Sequence, residues 1–293
     1  MMSTSSLVAL IALVLIPSTG LSQEGRAPYL AFSGMSTEEA TASQQAAARH
    51  FKLPSTLILE LNGAASLELV LVPPGEFMMG GLLSAEETAE VFEESPGVFE
   101  LEHPRHQVRI TQPFFVGRFE ITKRQWSAVL GGPQPSEAEA TLPVAGVTWH
   151  EAQDFIQALS DIIDQPVHLL SEAEWEYACR AGSAGEFYLG DTLPHGASNV
   201  DTGRVEPVGT FIANAWGLHD MLGNVVEWVQ DGYGGYSDSA QVDPVGPDHI
   251  GRMLRGGGFD RGAWHARCSY RYAHLPDRGD QGAGFRIGVR PHR

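Results

Sequence analysis

The chain is expected to fold as one α+β domain that is rich in ordered loops, and three observations carry that expectation. Three helix starts share a signature: Thr122-x-x-Gln125, Thr148-x-x-Glu151 and Ser171-x-x-Glu174 read as capping boxes. In each, the hydroxyl and the fourth side chain satisfy N–H groups that a first helical turn leaves open. Short apolar runs bounded by turn residues read as strands: Leu67–Val72, Val108–Ile110, Phe114–Phe119, Met253–Arg255 and Gly284–Val289. After Gly182 helical periodicity vanishes and Gly, Pro, Asp and Asn dominate, so ordered loops must fill much of the volume. Long ordered loops need staples, of which bound cations and disulfides are the usual ones. No internal repeat appears, and no linker divides Leu67–Pro291.

Taken in order, the N-terminus opens with the apolar run Leu7–Ile16. About ten apolar residues are too few for a bilayer, which needs roughly 20. The run suits a signal-peptide core, and Gly20-x-Ser22 offers a small-x-small cleavage pattern before Gln23, although the leader carries no Lys or Arg. Residues 1–22 are therefore expected to be a signal peptide and the protein to be exported, to the periplasm or outside the cell. Residues 23–66 read as an N-terminal extension or spacer. Within them Ser36–Arg49 is rich in Ala, Glu, Gln, Ser and Thr but lacks a clear apolar stripe. The domain proper spans 67–291. Its first strand stops at Pro73-Pro74-Gly75, and Leu82–Glu102 is expected to be a long, exposed, acidic loop. The first capping box opens Trp126, Val129 and Leu130. The second opens Ala152, Phe155, Ile156 and Leu159, a full i, i+3, i+4, i+7 stripe. The third opens Trp175 and Ala178 and closes at Ala181-Gly182, a C-cap.

At 293 residues and 43% hydrophobic content the chain can bury a sizeable core. Its formal net charge of −17 excludes nucleic acid and anionic membrane surfaces as partners. The arginines concentrate between Arg252 and Arg293, which implies a basic C-terminal part packed against an acidic remainder. Cys179 and Cys268 are the only cysteines. In an oxidising compartment an even pair favours a disulfide, and closing so long a loop is worth about 4–5 kcal/mol when unstrained.

The densest stretch is Gly217–Trp228, Gly-Leu-His-Asp-Met-Leu-Gly-Asn-Val-Val-Glu-Trp. Asp220 and Glu227 flank Gly223-Asn224, a pair that tolerates positive φ and marks a turn. Such a turn gathers carboxylate and carbonyl oxygens as a Ca²⁺ site does. A plain turn with solvated carboxylates explains the same residue types, and the spacing is not that of an EF-hand. On the residues alone both readings stand.

A set of blocks now falls into one order. It comprises Val72-Pro73-Pro74-Gly75-Glu76-Phe77-Met78-Met79-Gly80, Phe119-Glu120-Ile121-Thr122, and Pro143-Val144-x-x-Val147-Thr148-Trp149. The strongest block is Leu170–Gly182; Gly217–Trp228, Arg255-Gly256-Gly257-Gly258 and Gly284-Phe285-Arg286 complete the order. Together they resemble the formylglycine-generating enzyme, or sulfatase-modifying factor, family over Leu67–Pro291. The resemblance implies a modified C-type-lectin-like fold with little regular structure, stabilised by calcium. One family calcium site would fall on the side chains of Asp220 and Glu227 with the carbonyls of Gly223 and Val225. The other would begin at Asn199 and the carbonyl of Val200, but the loop that should hold its downstream carboxylate, Asp201–Pro207, is much shortened. The resemblance also implies a Cys179–Cys268 disulfide, with Cys268 displaced from the family's usual position.

The family's chemistry needs two cysteines beyond the Arg-Gly-Gly motif, which hold Cu(I) and activate O₂ to turn a substrate cysteine into formylglycine. Aligned on Gly256-Gly257 and Tyr270-Arg271, those positions hold Arg261 and Ala266. A guanidinium stays protonated and cannot ligate Cu(I), and Ala has no donor. Cys268, two residues further, would sit roughly 6–7 Å away. The expectation is an exported, non-catalytic binding or structural module. It would present the Asp231–Gly251 and Arg261–Gly284 loops to a protein, peptide or glycan, with calcium and without copper. A groove lined by Arg261, His265 and Arg271 would favour an acidic group. The alternative is a divergent metal-dependent oxidase acting on protein or small-molecule thiols, for which His265 and His274 are the nearby histidines.

Overall fold

A computed structural model describes residues 26–61 and 65–291; the leader expected at 1–22 lies outside them. The chain opens with β1 (Ala31–Phe32), α1 (Thr37–Phe51), β2 (Thr56–Glu60), β3 (Ser66–Val72) and β4 (Gly75–Met79). There follow α2 (Ala85–Phe92), β5 (His106–Ile110), β6 (Phe114–Gly117), α3 (Lys123–Leu130), α4 (Trp149–Ile163), β7 (Val167–Leu169) and α5 (Glu172–Arg180). After a long irregular stretch come β8 (Val226–Gly232), β9 (Gln241–Val242), β10 (Arg252–Arg255), β11 (Tyr272–His274), β12 (Ala283–Gly284) and β13 (Ile287–Val289).

These strands form three small sheets. The largest is antiparallel, in the order β2-β3-β6-β13-β7, so the last strand lies inside a sheet built mainly from the first half of the chain. The others run β1-β4-β5-β9 and β11-β10-β8-β12. All three expected capping boxes are present, at Thr122, Thr148 and Ser171. Helix α4 buries Trp149, Ala152, Phe155, Ile156 and Leu159, the stripe its spacing requires. Phe155 stacks on Trp126 and meets Phe285 edge-on, and each such large apolar side chain contributes about 1.5–3 kcal/mol on burial. Every residue of α5 is buried, its three glutamates and Arg180 included. A helix of that composition is stable inside only if each charge finds a partner.

Two expectations are corrected. Residues 26–61 are not a spacer: β1 pairs with β4, β2 pairs with β3, and α1 packs on the core. The helix carries its own capping box, Ser36 with Glu39, and buries Ala40, Ser43, Gln44 and Ala47. Small residues let it approach closely, and for that reason it shows no large apolar stripe. The 82–102 stretch is not a loop throughout either. Ser84 and Glu87 cap α2, and Ala85, Ala89 and Phe99 form a satellite core against Trp264.

Candidate functional site

The stretch 217–228 is a chain of tight turns leading into β8. Asp220 and Asn224 adopt left-handed conformations, φ 57° and 65°, which Asp and Asn tolerate better than other side chains. At Gly223, φ is 104°, and an added Cβ would lie 2.5 Å from the carbonyl oxygen of Asn199. Glycine is therefore required there, and it lets Asn224 N–H donate to that same carbonyl at 2.9 Å.

Three carboxylates collect behind this turn. Glu227 is fully buried and lies in the fork of Arg286, with Nη2 2.7 Å from Oε1 and Nε 2.8 Å from Oε2; Trp175 Nε1 donates to Oε2 at 2.8 Å. Glu120 accepts from Val225 N–H at 3.0 Å and from Asn224 Nδ2 at 2.7 Å. Asp220, 3% exposed, accepts Gly209 N–H on Oδ2 at 2.6 Å, while its Oδ1 is buried without a hydrogen-bond partner. Arg286 is the guanidinium within this group, so the buried charge is unbalanced. Burial, then Asp220 and Glu227, push the Glu120 carboxyl well above the usual carboxylate range. Burial likewise raises Asp220.

This donor set fits a hard cation on its Asp220 side, where an orphaned carboxylate oxygen and surplus negative charge coincide. It does not fit through Glu227, whose lone pairs are spent on Arg286 and Trp175. Gly223 and Val225 lie in the turn between the two acids, with Val225 N–H held by Glu120. The second set fits poorly. Asn199 Nδ2 donates to Arg204 O and to Asn224 Oδ1, its Oδ1 accepts the Thr202 hydroxyl, and Val200 packs against the core. Among the described residues no three His, Cys, Asp or Glu side chains converge as a metal-ligand set, so a cation here would rely on carbonyls as well. Sequence reasoning missed Glu120, which stood in a quoted block without a role; its signal was a lone acid ahead of a capping box.

At the two family cysteine positions the structure is closed. Arg261 pairs with Asp280 and Asp260, and its guanidinium covers the Tyr272 ring at 4.5 Å. Ala266 is fully buried beside Gly257, where a Cβ would come within 2.9 Å of Ala266 N. His265 stacks on Trp264 at 3.5 Å, and burial pushes its pKa down to about 4, so the ring is neutral near pH 7. Arg271 spends Nε and Nη2 on Glu172 and Nη1 on the carbonyl of Leu101. The acidic-ligand groove expected at Arg261, His265 and Arg271 is thus not formed, because both guanidiniums are already paired. His274 lies on β11 and faces Trp228 and Tyr272.

The disulfide expected between Cys179 and Cys268 is not formed in this structure, although the two are buried neighbours; burial and the hydrogen bond to Cys268 push the Cys179 thiol up. Around them runs a buried ionic lattice. Arg255 binds Glu176 at 2.6 Å, Arg180 binds Glu176 at 2.8 Å, and Arg267 reaches Glu102 and Glu186 at 2.5 and 3.2 Å. Arg255, Arg267, Arg271 and Arg286 are thus the counterions of earlier glutamates, as the charge asymmetry implied.

The sulfatase-modifying factor enzyme 1-like domain matches residues 59–290. Serine/threonine-protein kinase pkn1 of Chlamydia pneumoniae is 36% identical over 150 residues, 49% of this chain and 23% of that protein. A formylglycine-generating enzyme of Streptomyces coelicolor is 34% identical over 167 residues, 49% of this chain and 51% of the enzyme. An inactive C-alpha-formylglycine-generating enzyme 2 of Mus musculus is 28% identical over 186 residues, covering 57% and 55% of the two chains. The chain thus spans about a quarter to a half of the length of these relatives. Among solved structures, Treponema denticola variable protein 1 superposes with a TM-score of 0.69 at 21% identity, over 81% of this chain and all of that one, which shows the shared fold.

Proposed function

This chain belongs to the sulfatase-modifying factor enzyme 1-like family, and from that premise we propose that it is an exported, non-catalytic binding or structural module of the family, stabilised by calcium. One observation carries the reading: the positions where the family needs two thiolates hold Arg261, locked to Asp280, and buried Ala266. Neither side chain donates to Cu(I), so the pair of thiolates that the family's chemistry needs is missing. The existence of a relative named inactive supports a catalytically silent branch. When bound, calcium supplies positive charge at Asp220. Glu120 and Asp220 would face it, while Arg286 keeps Glu227 neutralised.

An aldehyde-specific assay on copper-loaded protein with a cysteine-containing sulfatase peptide tests the silence. We expect no product above the no-enzyme control. Arg261→Cys/Ala266→Cys is the companion variant, and turnover by the unaltered chain would overturn the reading. Export and the disulfide are tested together. Material secreted by an expressing cell should begin at Gln23 and, denatured without reductant, show no titratable thiol, the neighbouring Cys179 and Cys268 having been oxidised to a disulfide on export. A retained Met1, or two free thiols, contradicts one or the other.

A further inference from the structure

A cavity of about 170 Å³ lies beneath the 234–247 loop, between that loop, the start of α5 and β5, and nothing described above uses it. Four of its polar side chains are deeply buried: His106 is 5% exposed, Asp231 4%, Arg271 3% and Glu172 2%, while Ser237 and Gln241 at its mouth reach solvent. Asp231 accepts Glu172 N–H at 2.9 Å on one oxygen and Gly246 N–H at 2.5 Å on the other, leaving a lone pair on each. His106 Nδ1 lies 3.0 Å from the carbonyl of Pro104. A carbonyl only accepts, so Nδ1 carries the proton and Nε2 is a bare acceptor. Nε2 has no hydrogen-bond partner among the described residues.

The wall therefore offers acceptors and negative charge. Arg271 spends its three nitrogens on Glu172 and Leu101, so an anion would find the Tyr236 hydroxyl but no free positive charge, and would meet two carboxylates. A sugar finds no stacking face, because Arg271 covers the Tyr236 ring at 3.9 Å and His106 meets it at 4.9 Å. No metal-ligand set converges here or elsewhere among the described residues. The size decides further. At ~30 Å³ per water the space holds about five or six water volumes, which suits a lysine side chain and is too small for a drug-sized ligand. Met79, Ala173 and Val245 supply an apolar wall for methylenes.

We propose that this cavity binds an alkylammonium group, with the nitrogen at Asp231 and His106 Nε2 and the carbon stem against Met79, Ala173 and Val245. The chemistry is shared by a partner's lysine and by a free small amine. It names what the 231–251 loop would recognise, and so rests on the binding-module reading. Charge supports it at both ranges, since the whole chain carries −17 and attracts cations. Burial, then Glu172, push Asp231 up to about 7, with Arg271 opposing. Glu172 on α5, His106 on β5, Arg271 and Tyr236 are the titratable and charged groups lining the cavity around it. An ammonium that stays charged should therefore bind more tightly at pH 8 than at pH 6.

The full chain is titrated with n-butylammonium chloride while the ¹⁵N amide signals of Gly234, Gly235 and Gly246 are followed. Tetramethylammonium chloride and sodium butyrate at equal ionic strength are the controls. Saturable shifts with butylammonium alone are expected, strengthening from pH 6 to pH 8. Asp231→Asn should abolish them. His106→Phe, which keeps a ring against Tyr236, should weaken binding about fivefold, the worth of one hydrogen bond. A lysine peptide that outbinds butylammonium, and loses binding on acetylation, identifies a protein partner; equal binding identifies a small amine. Unmoved glycines, or shifts that tetramethylammonium or butyrate reproduce, overturn the proposal. That failure leaves the aldehyde assay untouched, so the two readings fall separately.

Discussion

At the scale of single residues, the Glu227 and Arg286 pair shows how a buried charge is held. Both side chains are 1% exposed, and Arg286 also donates to the carbonyls of Gly117 and His219, tying β8 to the end of β6 and to the 217–228 turn. Removing one member strands the other in a low-dielectric interior, which costs about 3–5 kcal/mol, more than the intact pair contributes. Glu227→Gln and Arg286→Met should each lower urea stability by that order. Glu227→Gln combined with Arg286→Met should cost less than the two losses added together. Single variants within about 1 kcal/mol of the parent would show that water reaches the pair. Both residues stand out in the sequence, one beside a turn and one in the Gly-Phe-Arg block, yet their meeting does not. It depends on β12 running parallel to β8, a contact between strands over 50 residues apart.

At the scale of elements, legibility followed side-chain size. Helices α3, α4 and α5 are readable because hydroxyl and acid at fixed spacing mark their starts, and because Trp126, Phe155 and Trp175 mark their inner faces. Helix α1 bears the same start signal at Ser36 but packs through Ala40 and Ala47, both fully buried. Its anchors are polar: Gln44 Nε2 donates to the carbonyls of Leu71 and Trp216, and Trp216 Nε1 donates to that of Ala40. No hydrophobic period records such contacts. The irregular 183–225 stretch was legible only as loop, since single hydrogen bonds such as Asn214 Nδ2 to Ala178 O hold it and carry no repeat. Because α1 packs on the core with Ala40 fully buried, Ala40→Leu has no space to enter and should cost about 1–3 kcal/mol in denaturant unfolding. An unchanged midpoint would return the helix to the role of a tether.

At the scale of the whole molecule, the balance of charge leads to the calcium question. Acidic residues number 36 against 19 basic ones, and the C-terminal Arg255, Arg267, Arg271 and Arg286 are already committed to buried glutamates. Glu120, Asp220 and Glu227 share Arg286, and the remaining negative charge must be met by protons or by a bound cation. A cation bound by the native state alone adds RT ln(1 + [L]/Kd), about 2.7 kcal/mol at a hundredfold excess over Kd. For a domain of this size that raises Tm by about 5–10 °C. Calcium should produce that shift relative to chelator, magnesium less of it, and sodium at matched ionic strength none. Magnesium falls short because it sheds water reluctantly and demands a stricter geometry. Asp220→Asn should remove the shift, because it takes away the charge at the orphaned oxygen while keeping a side chain that tolerates positive φ. Glu227→Gln should instead lower the melting temperature with and without calcium, since Glu227 answers to Arg286. A melting curve indifferent to chelation would mean that the cluster is neutralised by protonation, with Glu120 its most strongly raised carboxyl as the holder of the proton.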